Sequence, residues 1–245
     1  MTNKMPVTID EMVVKSNLKI MREEAETALR VFYAYQAISN LLTEERYVRL
    51  VNNNVHFWRI FISSTQTKLF MALGRLYDNS GDAFSFHKFV KLCRETIYEF
   101  GREYLEARKM EGTQVRPSWL KKYLDEAYYA TAEDIQKLAK LAKPYNKKLK
   151  GVYQEIRDKV FGHAVHTDAE VVSALFRDTN FDEIEQVLTA IWSFYSQVWM
   201  LYENGHEPSF KIQPYPYKDE VIDSIKAALL PSPKDPSPTQ VFSRP

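Results

Sequence analysis

The sequence predicts an all-α protein, an antiparallel bundle of four to five main helices with short extra helices and a proline-rich C-terminal tail. Three observations carry that prediction. Apolar residues recur at three- and four-residue steps over most of the chain, the period of a helix with one buried face. The breaks between these runs hold cap and turn residues, such as Thr131-Ala132-Glu133-Asp134 and Asn180-Phe181-Asp182-Glu183. No stretch alternates apolar and polar residues between hairpin signals, so no sheet is expected.

The first helix is expected over residues 10 to 42, with Ala28, Val31, Tyr35, Ile38 and Leu42 in step. Thr43 is placed to cap a second, from about Glu44 to Tyr77, whose stripe is Trp58, Phe61, Ile62, Leu69, Leu73 and Leu76. The turn formers Asp78-Asn79-Ser80-Gly81-Asp82 end it. A third helix starts near Ser85 and carries Phe86, Phe89, Val90, Cys93, Ile97, Phe100 and Tyr104. After the polar break at Glu111-Gly112-Thr113, Pro117 opens a short helix with Trp119, Leu120, Tyr123, Leu124 and Ala127, so residues 112–130 read as a helical insertion.

Thr131 to Asp134 has the form of a capping box and opens a long helix with Ile135, Leu138, Ala142, Tyr145, Leu149, Val152, Ile156 and Val160 on one face. Pro144 deletes a backbone donor inside that run and is expected to kink it or split it after Lys143. Asn180 caps the last large helix, with Ile184, Val187, Leu188, Ile191, Tyr195, Val198, Trp199 and Tyr202 on one face. The bundle is thus expected over residues 1–206. A C-terminal extension follows over 207–230, with a short helix from Lys218 to Leu230, and 231–245 reads as a disordered tail rich in proline.

A chain of 245 residues, 45% hydrophobic and 27% charged, can bury a sizeable core. Its formal charge of +1 gives no global basicity, so a nucleic-acid partner has to be read from local charge. Cys93 is the single cysteine, which excludes an internal disulfide and a zinc site of the Cys type and suits a reducing cytosol. Lying on an apolar stripe, it reads as a small buried residue rather than a nucleophile. The start, Met-Thr-Asn-Lys-Met-Pro, has no apolar segment of a signal peptide behind its lysine, and no run approaches the roughly 18 apolar residues of a membrane span. A cytoplasmic protein with no membrane partner is expected. The seven glycines are scattered and form no phosphate-cradling loop, so no ATP, NAD or other cofactor is expected.

The chemistry concentrates in Ile156-Arg157-Asp158-Lys159-Val160-Phe161-Gly162-His163. Arg157 is a phosphate anchor, Asp158 an orienting carboxylate and His163 a proton carrier, three of the parts needed to cut a phosphodiester. Six steps of about 100° put His163 roughly 120° from Arg157 around a continuous helix, so the two converge within one chain only if the helix ends between them. Gly162 is placed to end it. Lys137, Lys140, Lys143, Lys147, Lys148 and Lys150 lead into the motif with no acidic residue among them. Such a run is either a solvated face or a track for RNA phosphates, with Lys147, Lys148 and Lys150 nearest the motif.

This stretch resembles the HEPN superfamily, all-helical domains many of which are ribonucleases. The family signature is Arg, four to six residues, then His, with a polar residue after the Arg; Arg157, Asp158 and His163 match it. Leu73-Gly74-Arg75-Leu76-Tyr77-Asp78, upstream, is similar to the second motif of the AbiU-like abortive-infection branch, although Gly162 stands where that branch more often has Ala. The resemblance implies a HEPN-like bundle forming a homodimer whose two motif faces share a cleft. It further implies metal-independent endoribonuclease activity of toxin type, in phage defence or abortive infection, with RNA as substrate and an antitoxin or regulatory protein as a partner. Arg157, Asp158 and His163 would be catalytic, and Arg75, Asp78 and His166 would line the same cleft.

Several plainer readings stand beside these. Arg75 and Asp78, one turn apart, also read as a local ion pair. His163, seven residues after Ile156, also reads as a core histidine. His163, His166 and Asp168 have the spacing of metal ligands, but no further strong ligand stands near them. Finally, a catalytically idle HEPN module would bind RNA or a protein partner with the same face.

Overall fold

The computed structural model describes residues 12–78, 84–145, 156 and 179–229. Among these every regular element is a helix, as the periodicity predicts. The α-helices are α1 (Val13–Leu41), α2 (Glu45–Asn53), α3 (Val55–Tyr77), α4 (Phe86–Glu95), α5 (Arg102–Lys109), α6 (Leu120–Glu126), α7 (Ala132–Ala139), α8 (Phe181–Asn204) and α9 (Lys218–Leu229). Short 3-10 turns cover Ile97–Phe100 and Lys143–Tyr145. No helix among the described residues is long and apolar enough to cross a membrane.

The long helix α1 is the axis of the bundle. Side-chain pairs fix its neighbours' directions: Glu24 meets Arg75 and Tyr35 meets Gln66, so α3 runs antiparallel to it. Phe32 touches Phe181 while the start of α1 meets Tyr202 through Glu99, so α8 is antiparallel as well. The main core lies between them: Leu18, Met21, Ala25, Leu29 and Phe32 of α1 face Leu69, Leu73 and Leu76 of α3 and Leu188, Ile191, Phe194 and Val198 of α8. Phe86 and Phe89 of α4 close on Phe194 edge to face, at 5.0 and 6.1 Å between ring centres. A second cluster gathers Ile38 and Leu41 of α1, Tyr47 and Val51 of α2, Trp58 of α3 and Leu229 of α9, so the C-terminal extension packs on the bundle. A small third cluster, Leu105, Leu120 and Leu124, joins α5 to α6.

The caps expected at Thr131 and Asn180 form. Thr131 Oγ1 accepts from the Asp134 N–H at 3.2 Å while Asp134 Oδ2 accepts from the Thr131 N–H at 2.9 Å, a complete capping box. Asn180 Oδ1 accepts from the Asp182 N–H at 2.8 Å. Cys93 is fully buried, and burial pushes its thiol pKa up, so it acts as the small apolar residue its position predicts.

Four expectations change. Thr43 does not cap the second helix; its hydroxyl donates back to the Asn40 carbonyl at 2.7 Å, and Glu44 takes the cap position without a side-chain bond. The helix drawn from Glu44 to Tyr77 is two, broken at Asn54 (φ −134°, ψ 49°), the last of three consecutive asparagines, whose amides compete with helical backbone bonds. The helix drawn from Ser85 through Tyr104 is three pieces, because the Ile97–Phe100 turn brings both Glu99 and Phe100 inward. The helix opened by Thr131 stops at Ala139 rather than after Lys143. Bonds from i to i−3 tighten residues 140 to 143, since the ring of Pro144 clashes with an α-helical carbonyl at Lys140.

Glu99 explains why α1 needs no side-chain cap of its own. Its buried carboxylate accepts from the first two N–H groups of α1, Val13 and Val14, each at 3.1 Å, and from the Tyr202 hydroxyl at 3.3 Å. A carboxylate there also meets the positive end of the helix dipole. Arg108 lies beside it, donating to the carbonyls of Glu99 and Tyr202 with its guanidinium 3.8 Å from the Tyr202 ring centre. Burial pulls the Arg108 pKa below its ordinary value and raises that of Tyr202.

Gly205 ends α8 in the left-handed conformation (φ 58°), its N–H bonded to the Leu201 carbonyl at 3.0 Å. A Cβ there would meet Ala127 Cβ at 2.8 Å and Leu105 Cδ2 at 3.0 Å. Gly205→Ala is therefore expected to cost about 2 kcal/mol or more, from strain plus overpacking. Thermal melting reads this directly, and an unchanged midpoint would show that the α5–α6 layer yields freely.

Candidate functional site

Arg157, Asp158 and His163, the residues expected to be catalytic, lie outside the described residues, as do His166, Lys147, Lys148, Lys150 and the tail 231–245. What the structure does give is the residue that leads into the motif. Ile156 is helical, fully buried and part of the main core, so the stripe drawn along residues 135 to 160 does reach that core at this point. The chain next enters the described structure at Thr179, just before α8.

Arg75 and Asp78 are described, at the end of α3. Arg75 sits in the last turn, and Asp78 is the C-cap, in extended conformation, its N–H bonded to the Arg75 carbonyl at 3.4 Å. The Arg75 guanidinium reaches across to α1. Its Nε lies 3.0 and 3.1 Å from the two carboxylate oxygens of Glu24, and Nη2 lies 2.9 Å from Oε2. This two-pronged geometry holds the planar fork in place better than a single contact does. At 47% exposure for Arg75, solvent screening keeps the pair's contribution to stability small, within about 1 kcal/mol. The spacing of Arg75 and Asp78 suggests a local pair, but the guanidinium is held by Glu24, 51 residues away in the chain. The signal was present, because Met21, Ala25 and Ala28 mark the buried face of α1 and put Glu24 on its flank.

Of the lysine run, Lys137 pairs with Glu133 one turn earlier at 3.1 Å, with half of its side chain exposed, so it belongs to a solvated helix face. The other correction falls on α8. Trp199 was expected on the buried stripe, yet it is 40% exposed, one step of about 100° from the buried Val198. It opens onto a cleft that periodicity gives no sign of.

An all-helical bundle with Arg75 and Asp78 at the end of α3 agrees with the fold and the upstream motif that the HEPN resemblance implies. The family model for AbiU2-type HEPN proteins matches residues 16–224, from the first turn of α1 into α9. The chain therefore belongs to the AbiU2 family of HEPN proteins. No curated protein and no solved structure matches it.

Proposed function

We propose that this protein is a metal-independent endoribonuclease of the HEPN toxin type, acting as a homodimer in phage defence or abortive infection. The observation that carries the reading is a match to an abortive-infection HEPN family over most of the chain, in a sequence that keeps Arg157, Asp158 and His163 together. His163 moves a proton at the attacking 2'-hydroxyl or the leaving 5'-oxygen, the general acid-base work an imidazole is suited to near neutral pH. Arg157 holds the phosphate as charge builds on it, and Asp158 orients one of the two. The buried Ile156 supports the anchoring role, because the residue directly before Arg157 in the chain is held in the core. Arg75, Asp78 and His166 extend the cleft, and Lys147, Lys148 and Lys150 guide the RNA backbone towards it.

The test is incubation of the purified protein with mixed RNA in EDTA. Cleavage is expected, with products ending in 2',3'-cyclic phosphate, since attack by the neighbouring hydroxyl needs no metal-bound water. Cleavage that stops in EDTA and returns with a divalent ion would transfer the chemistry to His163, His166 and Asp168. RNA left intact under both conditions would make the protein an idle module that binds RNA or a protein partner, an antitoxin among the candidates.

A further inference from the structure

Residues 205–217 carry the chain from the end of α8 back along that helix. Two pairs of hydrogen bonds, one helical turn apart, hold this strap down. The Ser209 N–H donates to Gln197 Oε1 at 3.0 Å and Gln197 Nε2 to Ser209 Oγ at 3.3 Å. The Gln213 N–H donates to Ser193 Oγ at 2.7 Å, and the one proton of that hydroxyl has the Thr189 carbonyl at 2.8 Å and the Gln213 carbonyl at 3.1 Å as acceptors. Between the strap, α8 and the face of α1 bearing Arg22 and Glu26 lies a cleft of about 530 Å³, large enough for a nucleotide.

The walls of this cleft are flat and aromatic. Trp192, Tyr195 and Trp199 come from α8 and Tyr217 from the strap. Trp199 and Tyr217 stay 40% and 41% exposed, so both rings are open to a planar ligand. Glu26 brings a carboxylate to the cleft. Its Oε1 is shielded from solvent and accepts no hydrogen bond, with Arg22 Nη2 3.5 Å away as a loose ion-pair partner; Arg30 Nη2 stands 3.8 Å from the other oxygen. A buried carboxylate oxygen left without a donor is unfavourable and calls for one.

We propose that this cleft binds a guanine base, either of a free guanine nucleotide or of an unpaired guanosine in RNA. A carboxylate only accepts hydrogen bonds. Guanine offers N1–H and N2–H side by side, two donors for two oxygens. Adenine and cytosine each set an acceptor next to their donor, and uracil flanks one donor with two carbonyls, so each of these presents a lone pair to the negative charge. The aromatic walls stack the base whatever its identity; the carboxylate selects among bases. Arg22, more than half exposed, is free to swing from Glu26 to a phosphate once the base replaces it, with His206 on the same rim. The RNA case rests on the ribonuclease reading; the free-nucleotide case does not.

The experiment is titration of the full chain with GMP, AMP, CMP and UMP, and with short uridine-rich RNAs carrying one central G or A, read by tryptophan fluorescence and calorimetry. GMP or the G-containing RNA is expected to bind at least about tenfold tighter than its A counterpart. In Glu26→Gln that preference should fall to within about twofold, and Trp199→Ala, at an exposed position, should weaken every ligand roughly tenfold. A preference seen with GMP alone assigns the cleft to a free nucleotide, and one seen with RNA assigns it to a substrate base. Equal affinity for G and A in the parent chain, no binding at all, or a preference that survives Glu26→Gln overturns the proposal. Binding is read without turnover, and His163→Ala should leave it unchanged, so loss of the guanine site and loss of the nuclease reading are separate outcomes.

Discussion

His163→Ala is expected to lower RNA cleavage by roughly two to four orders of magnitude, the usual loss for a missing general acid or base, while RNA binding persists. The two results belong together, because the substitution removes the proton carrier and leaves the phosphate anchor. Arg157→Ala should behave differently. It deletes a charge-assisted contact made to ground state and transition state alike, so binding and turnover should fall together. Asp158→Asn keeps the shape and a hydrogen-bonding group, so its loss should be the mildest of the three. Gel-based cleavage beside filter binding separates these patterns. Parental cleavage rates in His163→Ala would mean that the activity comes from another site or a contaminant.

The largest expected effect on stability comes from a residue with no part in that chemistry. Glu99→Ala would strip the acceptors from the Val13 and Val14 N–H groups and the Tyr202 hydroxyl, and leave Arg108 buried without the neighbouring negative charge. Breaking a buried charge arrangement on one side costs about 3–5 kcal/mol, which for a chain of this size lowers the melting midpoint by roughly 10 °C. Glu99→Gln keeps the volume and one acceptor and should fall in between. Circular dichroism during heating distinguishes the three proteins. A shift of only a degree or two for Glu99→Ala would mean that water caps α1 as well as the carboxylate does.

Trp199 shows how a reading from period alone goes astray. A stripe drawn at three- and four-residue steps includes it, since it lies four positions after Tyr195, but α8 is covered by the strap on one side and open on the other. Whether a residue at the edge of a stripe is buried depends on what lies against it, and the strap is distant in sequence from α1, the cleft's other wall. Glu24 was missed for a similar reason: Arg75 finds it 51 residues away, whereas Asp78 stands three positions on. The motif of Arg157, Asp158 and His163 is read from residue type and spacing alone, and it lies outside the described residues.

Local information was enough for the all-helical class, the caps at Thr131 and Asn180, the burial of Cys93 and the short helix beginning at Lys218, since each follows from neighbours within a turn or two of one helix. The break at the Ile97–Phe100 turn, the tightened turn after Ala139 and the inward Glu99 did not follow from such neighbours alone. Glu99 reads as a surface residue in any propensity argument, because a lone carboxylate is costly to bury. Here it is buried because the start of α1, 85 positions away in sequence, supplies the backbone donors that make its desolvation tolerable. Periodicity registers which face of a helix is apolar, but the identity of the groups that meet that face is a property of the packed chain.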